Sequence, residues 1–482
     1  MGEGTITLVG TLERVVFSNP ENGFMIGSFL EENSLTPTTI KGTFFQMEVH
    51  QMLRLKGKWE NHPQYGRQFS VSEFMTVEPT TIDGIRRYLA SGIFPGIGEK
   101  TAERIVTMFG DRTFEVIDKE PEELLKVKGF TKKSLKTIKE VREEIHGYRE
   151  VMTFLYDLKI SNAYAARIYE KFLLNSILTI KANPYKLTEV KGIGFLIADD
   201  IARNLSFDEN SPERAASAIS YMLDQQAQNG HTCFPRQELV EKTVEELRIR
   251  REVVGISLKQ LIEDRLVKIL KPEQEDSYAT EMVSRPRFYY AEQRIVENLQ
   301  RLLEVESFSQ TAAENELVAT QERRLGIHLD TVQHQAIHGA LQNKVLIITG
   351  GPGTGKTTLV RFIIGVMSRT IPAMALAAPT GRAAKRLTET TGMQASTIHR
   401  LLEADNTGFQ RYRDHPLEVE LLIIDETSMI DTLLMDVLLE SIPSSARLVL
   451  VGDVDQLPSV GPGTVLRDLI ASQLVPVIRL EH

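Results

Sequence analysis

The residues best suited to chemistry lie in one glycine-rich segment, Gly350-Gly351-Pro352-Gly353-Thr354-Gly355-Lys356-Thr357. The segment fits the pattern G-x-x-x-x-G-K-[ST] in full, between an apolar run at 345–349 and a predicted helix from Lys356. Glycines let backbone N–H groups converge on phosphate oxygens, and a helix N-terminus adds partial positive charge. We therefore expect Lys356 to reach the β- and γ-phosphates of a nucleotide and the Thr357 hydroxyl to bind Mg²⁺.

Acidic and amide side chains follow two further apolar runs. Asp425 and Glu426 come directly after 421–424, and Gln456 follows 448–451 within Gly452-Asp453-Val454-Asp455-Gln456. Beside a phosphate loop, Asp425 is expected to hold Mg²⁺, and Glu426 to orient or deprotonate the attacking water. Gln456 is placed to sense the γ-phosphate without changing charge. The alternatives are a helix cap for the carboxylates and an ordinary turn around Gln456.

These side chains need a sheet to position them. From about residue 320, short apolar runs at 345–349, 373–378, 421–424 and 448–451 alternate with helical segments. Continuous apolar runs of this kind indicate a buried parallel sheet, so an α/β domain is predicted here.

The N-terminal region has a different pattern. Five short strands are predicted at 5–16, 23–29, 40–45, 52–59 and 67–74, the second after the turn signal Asn19-Pro20-Glu21-Asn22. They suggest a small barrel of the oligonucleotide-binding (OB) type, with a β-sandwich or an SH3-like barrel as alternatives. Trp59, Tyr65 and Phe69 lie in this region and either stack on bases or pack in the core.

Glycine turns followed by helices punctuate residues 80–205. They begin at Pro95, Val127 and Val190 and form an irregular repeat. Residues 206–300 are helical and charged, with helices predicted at 212–228, 237–247 and 255–263 and a short strand at 266–270. Three helices and a strand are compatible with a winged-helix-like module.

Composition excludes several classes of protein. The 482 residues suggest about three domains, at roughly 150 residues per domain. The net charge of −9 excludes a uniformly basic nucleic-acid coat but not a local basic path. The one cysteine, Cys233, forms neither an internal disulfide nor a zinc cluster. Since no membrane helix or signal peptide is visible, we expect a cytoplasmic protein.

Six motifs in order resemble the first motor domain of a superfamily 1 helicase of the RecD-like type, related to the exodeoxyribonuclease V alpha subunit. They are LDTVQHQAI, GGPGTGKTT, APTGRAAKR, STIHRLL, IIDETSMID and GDVDQLPSVGPG. In the N-terminal half, FSNPENGF, GKWENHPQYGRQF, LASGIFPGIGEKTAERI, NPYKLTEVKGIGFLIADDIA and GHTCFP resemble the long, stand-alone bacterial form. The resemblance spans nearly the whole chain.

The resemblance implies a role for each matching residue. Gln333 matches the glutamine that recognises adenine, and Thr358 completes the nucleotide-binding loop. Thr380 and Arg382 match one motif on the path of single-stranded DNA, and Ser396, Thr397 and His399 match another. The family uses ATP and Mg²⁺, translocates 5′→3′ on single-stranded DNA and unwinds duplexes.

Two further regions are candidate DNA contacts. Residues 403–416 lie where the family carries a small β-hairpin, and there Phe409 is expected to stack on bases and Arg411 to neutralise phosphate. The glycine turns resemble helix-hairpin-helix elements, in which Gly96, Gly98 and Lys100 would bind the DNA backbone. The alternatives are a surface loop and purely structural hairpins. The predicted DNA path also takes in a set of basic residues: Lys132, Lys133, Arg382, Lys385, Arg386 and Arg413.

The predicted organisation is a multidomain α+β and α/β chain. Its parts are an OB-like barrel (1–78), a helix-hairpin-helix DNA-binding region (79–205), a winged-helix-like module (206–310) and a RecA-like P-loop motor domain (311–482). Because the matched family has a second motor domain, we expect one downstream of His482 and little activity from this chain alone. The expected partners of this monomeric helicase are single-stranded DNA and 5′-tailed duplexes. The alternatives are an ATP-gated DNA-binding repair scaffold without unwinding activity and a switch-type P-loop ATPase.

Overall fold

The computed structural model describes residues 6–481 except 20–22, 33, 45–46, 48, 50, 80, 272–279 and 305–311. The predicted turn residues 20–22, the two strand ends Thr5 and Phe45, and His482 therefore lie outside the described residues. The chain divides into two compact units, residues 1–214 and 215–482.

Five strands close a β-barrel at the start of the first unit. They are β1 (Ile6–Asn19), β2 (Phe24–Glu31), β3 (Thr38–Thr43), β4 (Met52–His62) and β5 (Gly66–Thr76). The order is β1-β2-β3-β5-β4, with β4 pairing back to β1. Because side chains alternate along a strand, Leu12, Phe29 and Leu53 are fully buried inside. The closed order confirms the predicted barrel and excludes the sandwich.

In the described part of the first unit, seven α-helices lie between the barrel and residue 205. They are α1 (Ile82–Ala90), α2 (Glu99–Phe109), α3 (Thr113–Lys119), α4 (Lys132–Asp157), α5 (Asn162–Phe172), α6 (Ser176–Ala182) and α7 (Phe195–Asn204). Short 3₁₀ helices lie at Gly110–Arg112, Pro121–Lys126, Leu173–Asn175 and Pro184–Glu189.

This helical region contains an internal duplication in which equivalent residues are 63 positions apart. The Arg104 guanidinium donates to the backbone oxygen of Lys128 at 2.9 Å, and 63 residues later Arg167 donates to that of Lys191 at 3.0 Å. Helix, 3₁₀ turn, helix and 3₁₀ helix recur in the same order, from α2 to Lys126 and from α5 to Glu189.

The duplication reveals a fourth hairpin turn, at 158–161. Here Lys159 has φ 59°, at the position that Gly96 occupies with φ 85° in the first copy. The glycine pattern predicts the turns at Pro95, Val127 and Val190 but not this one, because no glycine marks it.

A buried ion-pair cluster follows the second copy of the duplicated segment. Asp199 on α7 is only 2% exposed and accepts hydrogen bonds from Arg214 and from the Tyr185 hydroxyl, both at 2.7 Å. Burial opposes ionisation of Asp199, but the hydrogen bonds from Arg214, Tyr185 and Arg203 outweigh it and lower the pKa of its carboxyl.

A helical module lies at the start of the second unit. Its elements are α8 (Pro212–Gln228), β6 (Cys233–Pro235), α9 (Arg236–Leu247), α10 (Arg251–Glu263), β7 (Lys268–Leu270) and β8 (Met282–Ser284). The strands form a small antiparallel sheet in the order β6-β8-β7. The three predicted helices and the strand near 266–270 are present, and the helix-strand-helix-helix-strand-strand order is that of a winged helix. β6 and β8, of three residues each, were missed, whereas the equally short β7 was found because it lies within the mostly apolar run at 266–270.

An α/β domain completes the second unit. Its helices are α11 (Pro286–Leu303), α12 (Ala312–Leu325), α13 (Thr331–Gln342), α14 (Lys356–Met367), α15 (Gly381–Thr391), α16 (Ile398–Leu401), α17 (Thr432–Ser441) and α18 (Val465–Ser472). Its strands are β9 (Val345–Gly350), β10 (Met374–Ala378), β11 (Ala395–Thr397), β12 (Leu421–Ile424), β13 (Arg447–Gly452) and β14 (Val477–Leu480).

The six strands pair in parallel in the order β11-β10-β12-β13-β9-β14. β9 and β12 are buried at every position, because helices cover both faces of the sheet. The predicted parallel sheet is confirmed. No helix in the described ranges is both long and apolar enough to span a membrane.

Candidate nucleotide site and nucleic-acid interface

Three adjacent strands bring the predicted catalytic segments together. β13 lies between β9 and β12, with Leu450 opposite both Ile347 and Ile424. Because the strands are parallel, the phosphate loop after β9, the carboxylates after β12 and the segment of Gln456 after β13 emerge at one edge of the sheet. Residues more than 100 positions apart in sequence thereby meet at one site.

The phosphate loop has the backbone conformation that its glycines permit. Gly353 and Gly355 have φ 85° and 80°, and a Cβ at Gly351 or Gly353 would meet nothing within 4 Å. The backbone therefore borders open space, as a cradle for an anion requires. The Lys356 ammonium donates to the backbone oxygen of Gly351 at 2.7 Å and also to that of Gly350. A phosphate would compete for this ammonium as a charged acceptor.

The two carboxylates after β12 lie in a strained turn. Glu426 has φ 55° and ψ 40°, a left-handed conformation that is uncommon for a residue other than glycine. Its backbone N–H donates to Asp425 Oδ1 at 2.9 Å. Burial raises the pKa of the Asp425 carboxyl. Burial and the neighbouring Asp425 charge raise the pKa of Glu426, whereas Arg386 and Lys356 act to lower it. Strain and perturbed carboxylates are features that cluster at functional sites.

One cavity of about 320 Å³ joins these groups. Its lining residues are Pro352, Gly353, Thr354, Gly355, Lys356, Thr357, Thr358, Arg386, Thr390, Asp425, Glu426 and Gln456. The structure thus brings together all four predicted catalytic residues and most of the predicted nucleotide-binding loop. Gly350 and Gly351 precede the lining residues, at the end of β9.

The structure corrects the assignment of Arg386. This residue was predicted to lie on the DNA path, but it lines the nucleotide cavity together with Thr390, one turn further along α15. A spacing of four residues places both side chains on one face of the helix. The sequence alone does not distinguish this face of α15 from a basic face that is exposed to bulk solvent. The packing of α15 beside the phosphate loop makes the difference.

The residues predicted to hold Mg²⁺ are compatible with the ion. The Thr357 hydroxyl and the Asp425 carboxylate line the same cavity, and oxygen ligands are those that Mg²⁺ prefers. The half-buried Asp425 carboxyl, with its raised pKa, is a group that a cation would stabilise. Two protein ligands also leave positions for water and phosphate oxygens, which is the usual arrangement for this ion.

Gln333 lies beside the phosphate loop rather than in its cavity lining. Its side chain accepts a hydrogen bond from the Asp330 N–H at 3.2 Å, while its own N–H donates to Asp330 Oδ1 at 2.8 Å. This capping box starts α13 and fixes the side chain, whose amide nitrogen would lie 3.4 Å from a Cβ built on Gly355.

The residues predicted to contact single-stranded DNA lie at or beside helix starts near the same edge of the sheet. Thr380 caps α15 by accepting from the Ala383 N–H at 3.2 Å, and Thr397 caps α16 by accepting from the Arg400 N–H at 3.2 Å. Ser396 lies in β11, while Arg382 is exposed in the first turn of α15. The threonine hydroxyls thus have a local structural role, and the exposed side chain of Arg382 is free to reach a ligand.

The insert at 403–416 differs from the predicted β-hairpin. It forms two tight turns, each closed by one isolated bridge, Asp405 with Gly408 and Tyr412 with His415. The Arg411 guanidinium pairs with Glu403 at 2.7 Å and donates to the Pro416 oxygen at 3.1 Å. Arg411 therefore holds the insert together instead of presenting its charge to phosphate.

Phe409 also faces the protein. It packs on the core of the α/β domain, 5.6 Å from the His399 ring between centroids. The exposed aromatic ring of the insert is Tyr412, which is 46% exposed. The sequence pattern of aromatic and basic residues could not distinguish these orientations.

In the first unit, the predicted DNA-contacting residues of the first hairpin are exposed. Gly98 is the N-cap of α2, a Cβ at Gly96 or Gly98 would meet nothing within 4 Å, and Lys100 is exposed. In the barrel, Phe69 is fully buried and Trp59 packs against it at 5.2 Å, so the core alternative holds for Phe69. Tyr65 is 67% exposed.

Four family models match successive parts of the chain. They are an OB-fold domain of the ATP-dependent DNA helicase YrrC (5–79), a SAM-like helix-hairpin-helix tandem (88–143), the helix-hairpin-helix domain of the ATP-dependent RecD2 DNA helicase (144–233) and an AAA domain (333–462). The first match settles the barrel type in favour of the OB-fold.

Individual relatives match the same regions. The ATP-dependent RecD2 DNA helicase of Deinococcus radiodurans is 29% identical over 98% of this chain and 66% of its own length. The RecBCD enzyme subunit RecD of Mycolicibacterium smegmatis is 40% identical over 29% of this chain and 30% of its own. Among solved structures, the Pif1 helicase of Candida albicans is 26% identical over 32% of this chain and 40% of its own, with a TM-score of 0.25.

The parallel sheet with its phosphate loop and paired carboxylates defines a P-loop NTPase domain. The OB, helix-hairpin-helix and AAA domains stand in family order, and the similarity to RecD2 extends over nearly the whole chain. In its domain content and over nearly its whole length, the chain is similar to the RecD2-like ATP-dependent DNA helicases. It spans about two thirds of the Deinococcus relative and less than a third of the Mycolicibacterium one.

Proposed function

We propose that this protein couples ATP hydrolysis to 5′→3′ translocation on single-stranded DNA and to the unwinding of duplex DNA. The observation that carries the proposal is the convergence of Lys356, Asp425, Glu426 and Gln456 on one cavity at the edge of a parallel sheet. A nucleotide-only switch would need the same phosphate loop, but the OB and helix-hairpin-helix domains favour a nucleic-acid partner.

Each cavity residue has a distinct task in ATP hydrolysis. The loop glycines and Lys356 bind the phosphates, and Glu426 orients and deprotonates the attacking water. Thr357 and Asp425 would hold Mg²⁺, which neutralises charge on the phosphate oxygens. Gln333 lies where it can contact the adenine, since its amide is held next to Gly355. Gln456 is exposed at the cavity wall and would detect loss of the γ-phosphate.

The DNA path is proposed to run along the same sheet edge. Arg382 lies at the start of α15, which follows β10. Ser396 lies in β11, and His399 lies in α16, which follows β11. Gly96, Gly98 and Lys100 would bind the DNA backbone without reading sequence, because turn N–H groups and a lysine recognise phosphate. The structure favours Tyr412 over Phe409 as the stacking ring of the insert.

A strand-displacement assay on the protein expressed from its complete reading frame tests the proposal. We expect ATP-dependent unwinding of a duplex with a 5′ tail but not of one with a 3′ tail, and loss of unwinding in Lys356→Ala. A second variant at the proposed DNA interface, Lys100→Ala, should retain ATP hydrolysis in the absence of DNA and lose DNA affinity in a salt-dependent manner.

Two results would contradict the proposal. Wild-type unwinding rates in Lys356→Ala would refute the catalytic assignment. Tight DNA binding with no strand separation would support the ATP-gated repair scaffold instead.

For the 482-residue chain itself, we expect weak nucleotide binding and slow turnover. The lining of its cavity in the described residues comes from a single α/β domain, whereas such motors hydrolyse ATP in a cleft between two. Robust DNA-stimulated turnover by this chain would contradict the expectation. Its monomeric state and cytoplasmic location stay predictions.

A further inference from the structure

We infer that Arg386 is a phosphate-binding residue supplied by the same domain as the phosphate loop, and that it contacts the γ-phosphate of the bound nucleotide. The inference rests on the proposed function and adds a residue to it. It reassigns a side chain that sequence reasoning placed on the DNA path.

Arg386 shares a cavity with the predicted catalytic side chains. Arg386 lies in the second turn of α15, and its side chain lines the same cavity as Lys356, Glu426 and Gln456. Lys356 and Arg386 are the two cations in that lining. Glu426 and Gln456 are the groups expected beside the attacked phosphorus, so a guanidinium among them lies at the γ-phosphate end of the nucleotide.

The Arg386 guanidinium is available to a ligand. Among the described residues it has no hydrogen-bonding or ion-pair partner, and it is exposed to the cavity. Its neighbour Lys385 instead lies 4.0 Å from Glu389. Glu426 lines the same cavity, and both Arg386 and Lys356 act to lower the pKa of its carboxyl.

The guanidinium group of Arg386 also has the chemistry that phosphate binding requires. A guanidinium presents several N–H donors in a plane and suits the oxygens of a terminal phosphate. Glu426 and Asp425 attract the guanidinium but lie beyond ion-pair distance, so these carboxylates leave its donors available for phosphate oxygens. A residue that served only to balance the two carboxylates would contact them directly.

Nucleotide binding by the 482-residue chain tests the inference. The affinities for the non-hydrolysable triphosphate AMP-PNP and for ADP are measured with Mg²⁺ by calorimetry for wild type, Arg386→Ala, Arg386→Lys and Arg361→Ala. Arg361 is an exposed arginine on α14 outside the cavity lining, so its loss removes the same charge from a neighbouring helix. Thermal unfolding of each variant checks that the α/β domain remains folded.

We expect Arg386→Ala to weaken AMP-PNP binding about 10- to 100-fold and ADP binding by less than about threefold, since a lost charge-assisted hydrogen bond has this magnitude. Arg386→Lys should recover part of the difference, and Arg361→Ala should resemble wild type. Equal loss for both nucleotides, or no loss, would overturn the inference while leaving the proposed function intact. If the wild-type chain binds neither nucleotide, the proposed function itself fails.

Discussion

The duplicated helical region predicts a stabilising substitution at Leu173. Leu173 has φ 50° and ψ −136°, and 63 residues earlier Gly110 has φ 59° and ψ −134°. This region of conformational space is open to glycine but brings a Cβ against the backbone. The second copy therefore keeps a backbone shape that suits glycine while carrying a leucine, and Leu173→Gly should stabilise the first unit.

The magnitude follows from three contributions. Relief of the backbone strain is worth about 1–3 kcal/mol. The greater freedom of glycine in the unfolded chain costs about 0.5–1 kcal/mol. Because Leu173 is 57% exposed, loss of its side chain removes little buried apolar area. The net gain is about 1 kcal/mol, which corresponds to a rise of about 2–4 °C in the melting temperature of a unit of this size.

Urea and thermal denaturation of the 482-residue chain, followed by circular dichroism, would measure this gain. Hydrogen exchange of amides in α5 and α6 would locate it. The matched control is Gly110→Ala, which places a Cβ in the same conformation and should destabilise the first copy by about 1–3 kcal/mol. A lower melting temperature for Leu173→Gly, or a neutral Gly110→Ala, would refute the reasoning from backbone strain.

Other substitutions test the ion-pair cluster, the barrel surface and the catalytic turn. Asp199→Asn should destabilise the first unit by about 3–5 kcal/mol in urea titrations, because it removes the counter-charge of a buried arginine. Since the folded-state pKa of Asp199 is lowered, its stabilising contribution should be full above the unfolded pKa and decline as pH falls towards the folded one; a pH-independent difference from Asp199→Asn would contradict this. Tyr65→Ala should weaken single-stranded DNA binding by about 1–3 kcal/mol in fluorescence titrations without lowering stability, whereas Phe69→Ala should cost about 3–5 kcal/mol of stability. Glu426→Gln should slow ATP hydrolysis by about 10²–10⁴-fold in the protein from the complete reading frame while retaining ATP binding, and unchanged turnover would remove Glu426 as the base.

Short-range sequence patterns predicted much of this protein. The phosphate loop, the strand before it and the carboxylates after β12 follow from local residue order, because glycine, lysine and acidic side chains have fixed uses next to a buried strand. The barrel strands and the helices of the winged-helix-like module also follow from periodicity. Some strands of only three residues, such as β11, carry too little pattern to be found this way.

Orientation was decided by tertiary packing. Arg386 and Arg411 both belong to basic segments, yet one lines the nucleotide cavity and the other pairs with Glu403. Phe409 and Tyr412 are both aromatic, yet the first packs on the core and the second is exposed. The direction of a side chain depends on which elements pack beside it, and those contacts join residues far apart in sequence.

The fourth hairpin turn shows the same division. The sequence determined the three glycine turns, since glycine favours positive φ, but only the structure placed Lys159 in an equivalent turn. Local sequence therefore determined which side chains suited to phosphate binding and carboxylate-assisted hydrolysis the chain contains. Tertiary structure decided which of its many basic and aromatic side chains face a ligand, because burial and pairing depend on long-range contacts.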